Sequence, residues 1–168
     1  MLASLRAVAI AAPTVLAAAP APADPLDALG ACMDAVERPE ALRACIGLAA
    51  NACTEARGYG SHDVIACLEQ EADAWDARLN EGWDRLRKRT QAADEAMPAE
   101  DPSDALWPTL LAAQRAWLAF RDAECAAIIA GMGGRGRSES DSECRLRMTA
   151  ERVVDLRFVH NSDIESFQ

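Results

Sequence analysis

The stretch SHDVIACLEQEADAWDARLNEGWDRLRKRTQAA, Ser61 to Ala93, decides the fold. Val64, Leu68, Ala72, Trp75, Leu79, Trp83 and Leu86 recur at spacings of three and four, the period of a helix with one apolar stripe. Gln70, Asp73, Ala77, Glu81, Asp84 and Lys88 fall on the opposite side, the polar face of a long helix lying on a core.

Beyond that helix, Asp94 to Pro102 is rich in Asp, Glu, Pro and Ala and reads as a chain reversal. Asp101-Pro102 suits a helix start, but Pro108 within an established helix would remove a hydrogen bond and clash with the preceding turn. The next long helix is therefore expected to begin at Pro108 and to run to Ala130, where Gly131, Gly133, Gly134 and Gly136 break it. Ser140 and Glu143 stand at capping-box spacing and predict the start of a last helix with Leu146, Ala150, Val153 and Leu156 on one side; the tail from His160 is expected to fray. Upstream, Leu26 to Val36 and Pro39 to Ala50 read as two short helices. The 168 residues suit one domain, and 51% hydrophobic content with only 5% aromatics favours a helical core over stacked strands. The expected fold is all-α: a disulfide-stapled antiparallel bundle of four to five helices in a single domain, 24–168.

Met1 to Ala23 carries one charge, Arg6, an apolar stretch from Ala7 to Ala19 and the small-residue run Ala21-Pro22-Ala23. That is a signal-peptide pattern, too short and too interrupted by Pro13 for a spanning helix of about 20 residues. Cleavage after Ala23 would leave a periplasmic or secreted chain with no membrane insertion. The six cysteines, Cys32, Cys45, Cys53, Cys67, Cys125 and Cys144, form an even set in an exported chain and read as disulfides. Their spacings do not match a zinc site, and no metal or cofactor is expected. Cys32 with Cys45, Cys53 with Cys67 and Cys125 with Cys144 are each centred on a plausible turn, so these three sequential pairs are favoured. Cys67 with Cys125, centred near Pro98, is the rival pairing.

The whole chain has net charge −10, which argues against a nucleic-acid partner. Residues 24–84 hold 13 acidic and 4 basic side chains, whereas residues 85–168 hold 14 and 12. The acidic half would either attract a basic partner or simply keep the domain soluble. In AQRAWLAFRDAEC, Ala113 to Cys125, Gln114 and Arg121 fall on the apolar arc with Leu110, Trp117 and Cys125. A guanidinium there needs a partner, so Gln114 and Arg121 are expected in a register-fixing polar network, with Asn80 of the preceding helix as the candidate mate of Gln114. No phosphate loop, nucleophile elbow or histidine-centred motif is present, and no catalytic residue is assigned.

CLEQEADAWDARLNEGWDRL at Cys67 to Leu86, AQRAWLAFRDAEC, a glycine loop, Cys144 and TAERVVDL at Thr149 to Leu156 together resemble the lysozyme-inhibitor LprI-like family. The resemblance spans about Cys53 to Leu156, and the Cys32 and Cys45 segment looks like an extension found in some members. It implies an exported, disulfide-bonded helical domain and, in one branch, an ability to inhibit lysozyme; the absence of catalytic motifs separately argues against an enzyme. The family's namesake looks like a lipoprotein; this chain has no cysteine at its expected cleavage site, so tethering does not carry over, and no inhibitory residue can be transferred. A basic, lysozyme-like muramidase is the partner this reading implies, the alternative being a structural or interaction protein of the envelope with another protein partner. Such an enzyme works through cleft carboxylates, so the inhibitor must present a neutral or basic element to them. The Gly131 to Arg137 loop, with Arg135 and Arg137, is the candidate; a plain connector is the competing reading.

Overall fold

Asp24 opens the first helix of the computed structural model, its Oδ1 accepting the Leu26 N–H at 2.9 Å while Pro25 occupies the first helical position. The structure describes residues 24–134 and 136–160, the last two as backbone; the expected leader Met1–Ala23, Arg135 and residues 161–168 lie outside the described residues. The elements are α1 (Pro25–Ala35), α2 (Pro39–Arg43), α3 (Leu48–Arg57), α4 (Ser61–Ala96), α5 (Leu106–Ala130) and α6 (Gly136–Val154). A 3-10 turn at Pro102–Asp104 and a π-helical turn at Asp155–His160 complete them. No strand occurs among the described residues, and α2 alone of the helices falls below ten residues. The fold is all-α, as the sequence predicts.

Two long helices run side by side in the same direction. Ser61 at the start of α4 hydrogen-bonds Glu139 in the first turn of α6. Farther along, Trp75 packs with Leu146 and Ala150, and Leu79 and Leu86 pack with Leu156 just past α6. Helix α5 runs the opposite way: Trp107 at its start lies 5.6 Å from Trp83, Leu110 joins the Leu79, Leu86 and Leu156 cluster, and Cys125 near its end is bonded to Cys144. Helix α6 shares a larger interface with α4 than α5 does. The buried and half-buried side of α4 carries the predicted stripe, and Gln70, Asp73, Ala77, Glu81, Asp84 and Lys88 are exposed.

The N-terminal helices are part of this core. Leu29, Met33, Leu42, Cys45, Ala49 and Ala50 form one buried cluster with Trp75, Leu146, Ala150 and Val154. All three sequential disulfides are present, with Cα separations of 6.0 Å for Cys32–Cys45, 5.7 Å for Cys53–Cys67 and 5.6 Å for Cys125–Cys144, so the Cys67–Cys125 rival is excluded. Each contributes on the order of 2–4 kcal/mol by restricting the unfolded chain.

Three boundaries differ from expectation. The helix read from Pro39 to Ala50 ends at Arg43, residues 44–47 form a turn closed by Gly47, whose φ of 87° lies in the left-handed region, and α3 restarts at Leu48. The buried Glu71 carboxylate makes the restart possible, since Oε1 accepts the Gly47 N–H and Oε2 the Ala50 N–H, both at 2.7 Å. Helix α5 begins two residues before Pro108 rather than at it. Proline is tolerated in a first turn because the N–H it lacks has no intrahelical acceptor there, and Asp94 caps Leu106 and Trp107, both at 2.8 Å. Finally, α6 starts at Gly136, so Ser140 and Glu143 lie inside the helix instead of forming its capping box.

Candidate functional site

The loop between α5 and α6 is built by the glycines that end one helix and open the next. Gly131 follows the last residue of α5, the Met132 N–H turns back to the Ile129 carbonyl at 3.1 Å, and Gly134 adopts a φ of 72° that disfavours other residues. Gly136 then starts α6 and places Arg137, exposed, in its first turn. A positive side chain at that end opposes the helix dipole, so local stability does not select it. Arg135 lies outside the described residues.

Both arms of the loop are fixed. The Cys125–Cys144 disulfide ties them, and the Met148 sulfur lies 3.8 Å from each of the two cysteine sulfurs in a small buried cluster. The Ser61–Glu139 hydrogen bond holds the α6 first turn against α4. This brings the α3–α4 turn to the same end of the bundle, where Tyr59 is 78% exposed and Met132 42% exposed. A glycine-rich turn on tied arms, with exposed apolar groups and the Arg137 cation at the same end of the bundle, has the makings of a protein-contact surface.

The expected polar network is redistributed. Gln114 is buried on α5, but its Oε1 accepts from Arg152 Nε of α6 at 2.9 Å. Asn80 is exposed and donates to Asp76 on its own helix at 2.9 Å, so it is not the mate of Gln114. Arg121 faces α6 rather than α4: Nη1 donates to Thr149 Oγ1 at 3.3 Å, and Nε and Nη2 donate to Asp122 at 3.2 Å. The guanidinium carbons of Arg121 and Arg152 lie 5.3 and 5.5 Å from the Trp117 ring centre. Asp122 in turn accepts from Arg145 Nη1 at 3.0 Å, and Arg145 Nε donates to Asp141 at 3.1 Å. The result is a polar seam along α5 and α6 leading toward the loop.

Electrostatics along the seam follow from these contacts. Burial pushes the Arg152 pKa down, with Asp155 opposing it. At Asp122 burial raises the carboxyl pKa, but hydrogen bonds from Arg121 and Arg145 outweigh it and hold the group below its ordinary range. Sequence reasoning missed Arg152 and Glu71, although both carried a signal. Glu71 lies one turn before Trp75 on the apolar stripe, and Arg152 lies between Thr149 and Leu156 on the buried side of α6.

Among the described residues no group of three or more His, Cys, Asp or Glu side chains could hold a metal ion, and no helix is long and apolar enough to cross a membrane. All six cysteines are consumed in disulfides, which leaves no thiol nucleophile.

Comparison with known proteins places this architecture. A Rhizobium meliloti (strain 1021) protein named "Uncharacterized protein R02472" is 32% identical over 99 residues, covering 56% of this chain and 70% of that one. Escherichia coli (strain K12) "Uncharacterized protein YecT" is 29% identical over 105 residues, 60% of this chain, which thus spans 64% of that relative's length. No solved structure matches. The family described as "Lysozyme inhibitor LprI" matches residues 53–156, from the first cysteine of the Cys53–Cys67 pair through α4, α5, the glycine loop and α6. On that match across more than half of its length, the chain belongs to the lysozyme inhibitor LprI family.

Proposed function

We propose that this protein is an exported inhibitor of lysozyme-type peptidoglycan hydrolases that acts by occluding the active-site cleft with the α5–α6 end of its bundle. The family match carries the reading, because residues 53–156 are the stretch that builds the loop and both of its arms. Three disulfides and the leader pattern of Met1–Ala23 support a periplasmic or secreted destination. The acidity of residues 24–84 would speed encounter with a basic muramidase, and Arg135 and Arg137 would meet its cleft carboxylates. Inhibition of peptidoglycan hydrolysis by the purified protein, measured against several lysozyme types, tests the reading. Dose-dependent inhibition of at least one type is expected; full activity of all of them at saturating protein would refute it.

A second reading, an envelope interaction protein with a different protein partner, draws on α5. Phe120 is 56% exposed there, and Ala112, Ala116, Ala119 and Ala123 beside it are exposed as well, an uncharged face away from the loop. Capture of an envelope protein that Phe120→Ser abolishes, without hydrolase inhibition by the wild type, would favour this reading.

A further inference from the structure

Far from the loop, a groove of about 360 Å³ opens between α1, α4 and the π-helical turn. Its apolar side is formed by Leu79, Val153 and Leu156, of which Leu79 and Leu156 are almost fully buried, while Asp34, Arg78, Arg85 and Arg157 stand around it. Three guanidinia at one groove are notable in a chain of net charge −10. Two of them are anchored. Arg78 Nη2 is 2.5 Å from Asp34 and its Nη1 3.7 Å from Glu81, and Arg157 donates to the carbonyls of Met33 and Val36 at 2.9 and 2.6 Å, closing the end of α1. Arg85 is the accessible one, 69% exposed and 4.0 Å from Glu81.

Gly82 supplies a second, independent observation. It is the single glycine of the 36-residue α4, where any helix-forming residue would stabilise the helix more. Among the described residues nothing within 4 Å would meet a Cβ added at Gly82, so their packing does not require glycine there. Gly82 does line the groove, where a side chain would project into the open space. A glycine that serves no contact among the described residues and leaves backbone open at a cavity fits close approach by a ligand.

We propose that this groove binds a small amphiphilic carboxylate, its head paired with Arg85 at one end, and its straight apolar chain laid past Gly82 over Leu79, Val153 and Leu156 toward the Arg78 end. From Arg78 to Arg85 the helix advances roughly 10 Å, at about 1.5 Å per residue, which matches an extended chain of about eight carbons. The guanidinium fork suits a carboxylate, and the apolar side rewards apolar surface that a small polar acid lacks. Asp34 and Glu81 at the rim repel a second negative charge, so one carboxylate on an uncharged chain fits best.

The test is titration of octanoate into the purified protein, followed by calorimetry and by the thermal midpoint. Saturable one-to-one binding and a raised midpoint are expected. Acetate and octanol at the same concentrations should bind negligibly, since each lacks half of the recognised chemistry. Gly82→Leu, which fills the groove, and Arg85→Gln, at an exposed position, should each weaken binding about tenfold while leaving helical circular dichroism unchanged. Should Gly82→Leu not fold, Arg85→Gln decides alone. Absence of saturable octanoate binding, wild-type affinity in Arg85→Gln, equal binding of octanol, or binding of N-acetyl-Leu-Leu-Glu-amide in place of octanoate would each overturn the proposal.

Discussion

The Glu71 carboxylate and the Trp75 indole, one helical turn apart and both fully buried, share a hydrogen bond of 2.9 Å. The accepting oxygen is also the one that takes the Gly47 amide, while its twin takes Ala50. One acidic side chain of α4 thus caps α3 and fixes the largest core residue. Carboxylates are favourable at helix N-termini, and each hydrogen bond to a charged acceptor contributes about 1.5–3 kcal/mol. Glu71→Gln keeps the shape but turns a donor group toward backbone N–H groups. It is expected to lower stability by about 2–4 kcal/mol, read as a lower urea midpoint at unchanged slope. An unchanged midpoint would mean that the cap contributes nothing.

The Gln114–Arg152 pair gives a second prediction. Arg152 is 8% exposed, its Nε has Gln114 as an oxygen acceptor, and its Nη2 is buried without a hydrogen-bond partner among the described residues. Gln114→Leu should therefore cost about 2–4 kcal/mol by leaving a buried guanidinium with less compensation. Arg152→Met in that background should recover most of the loss, since two apolar residues can replace a buried polar pair at little cost. A double-mutant cycle measures the coupling; strict additivity of the two changes would contradict the geometry.

Much of this fold was legible because it rests on local periodicity and on symmetry about turns. The α4 stripe needs only helical spacing, and equal distances from Arg38-Pro39, Gly60 and the Gly133-Gly134 turn favoured the three disulfides, although the same symmetry about Pro98 also admitted Cys67–Cys125. What escaped depends on residues distant in sequence. Residues 44–47 interrupt a helix that local propensity would continue, because Glu71, 24 positions from Gly47, satisfies the new N-terminus. The Asn80–Gln114 pairing assumed that α4 and α5 face each other at that level, whereas α6 supplies Arg152 to Gln114. The contribution of the Cys32 and Cys45 segment was also hidden. Leu29 and Leu42 gain meaning only once α1 and α2 fold onto Trp75.

Asp122 should make the seam acid-sensitive. Arg121 and Arg145 hold its carboxyl pKa below the ordinary 3.8, so the folded state favours the ionised form. Its contribution is fully present above 3.8 and is lost as pH falls through the lower folded-state value. The side chain is 55% exposed, so the effect is small and screened by salt. An NMR titration should place Asp122 below 3.8 and show it moving back toward that value in Arg145→Gln. An unmoved titration in the variant would remove Arg145 from the cause.

The last prediction concerns the loop. If inhibition works through the bundle end, Arg135→Ser with Arg137→Ser should weaken it about tenfold, the loss of roughly one charge-assisted contact with a cleft carboxylate. The thermal midpoint should not fall, because Arg137 sits in the first turn of α6, where a positive charge opposes the helix dipole. That separation of function from stability distinguishes a contact surface from a connector, whose mutation would change neither. Raising salt should slow association of the wild type more than it speeds dissociation, since steering by the acidic α1–α4 half acts before contact. Full inhibition by the double mutant, with an unchanged salt response, would detach the loop from recognition and direct attention to the acidic face of α4, where Glu69, Asp73 and Asp76 are exposed.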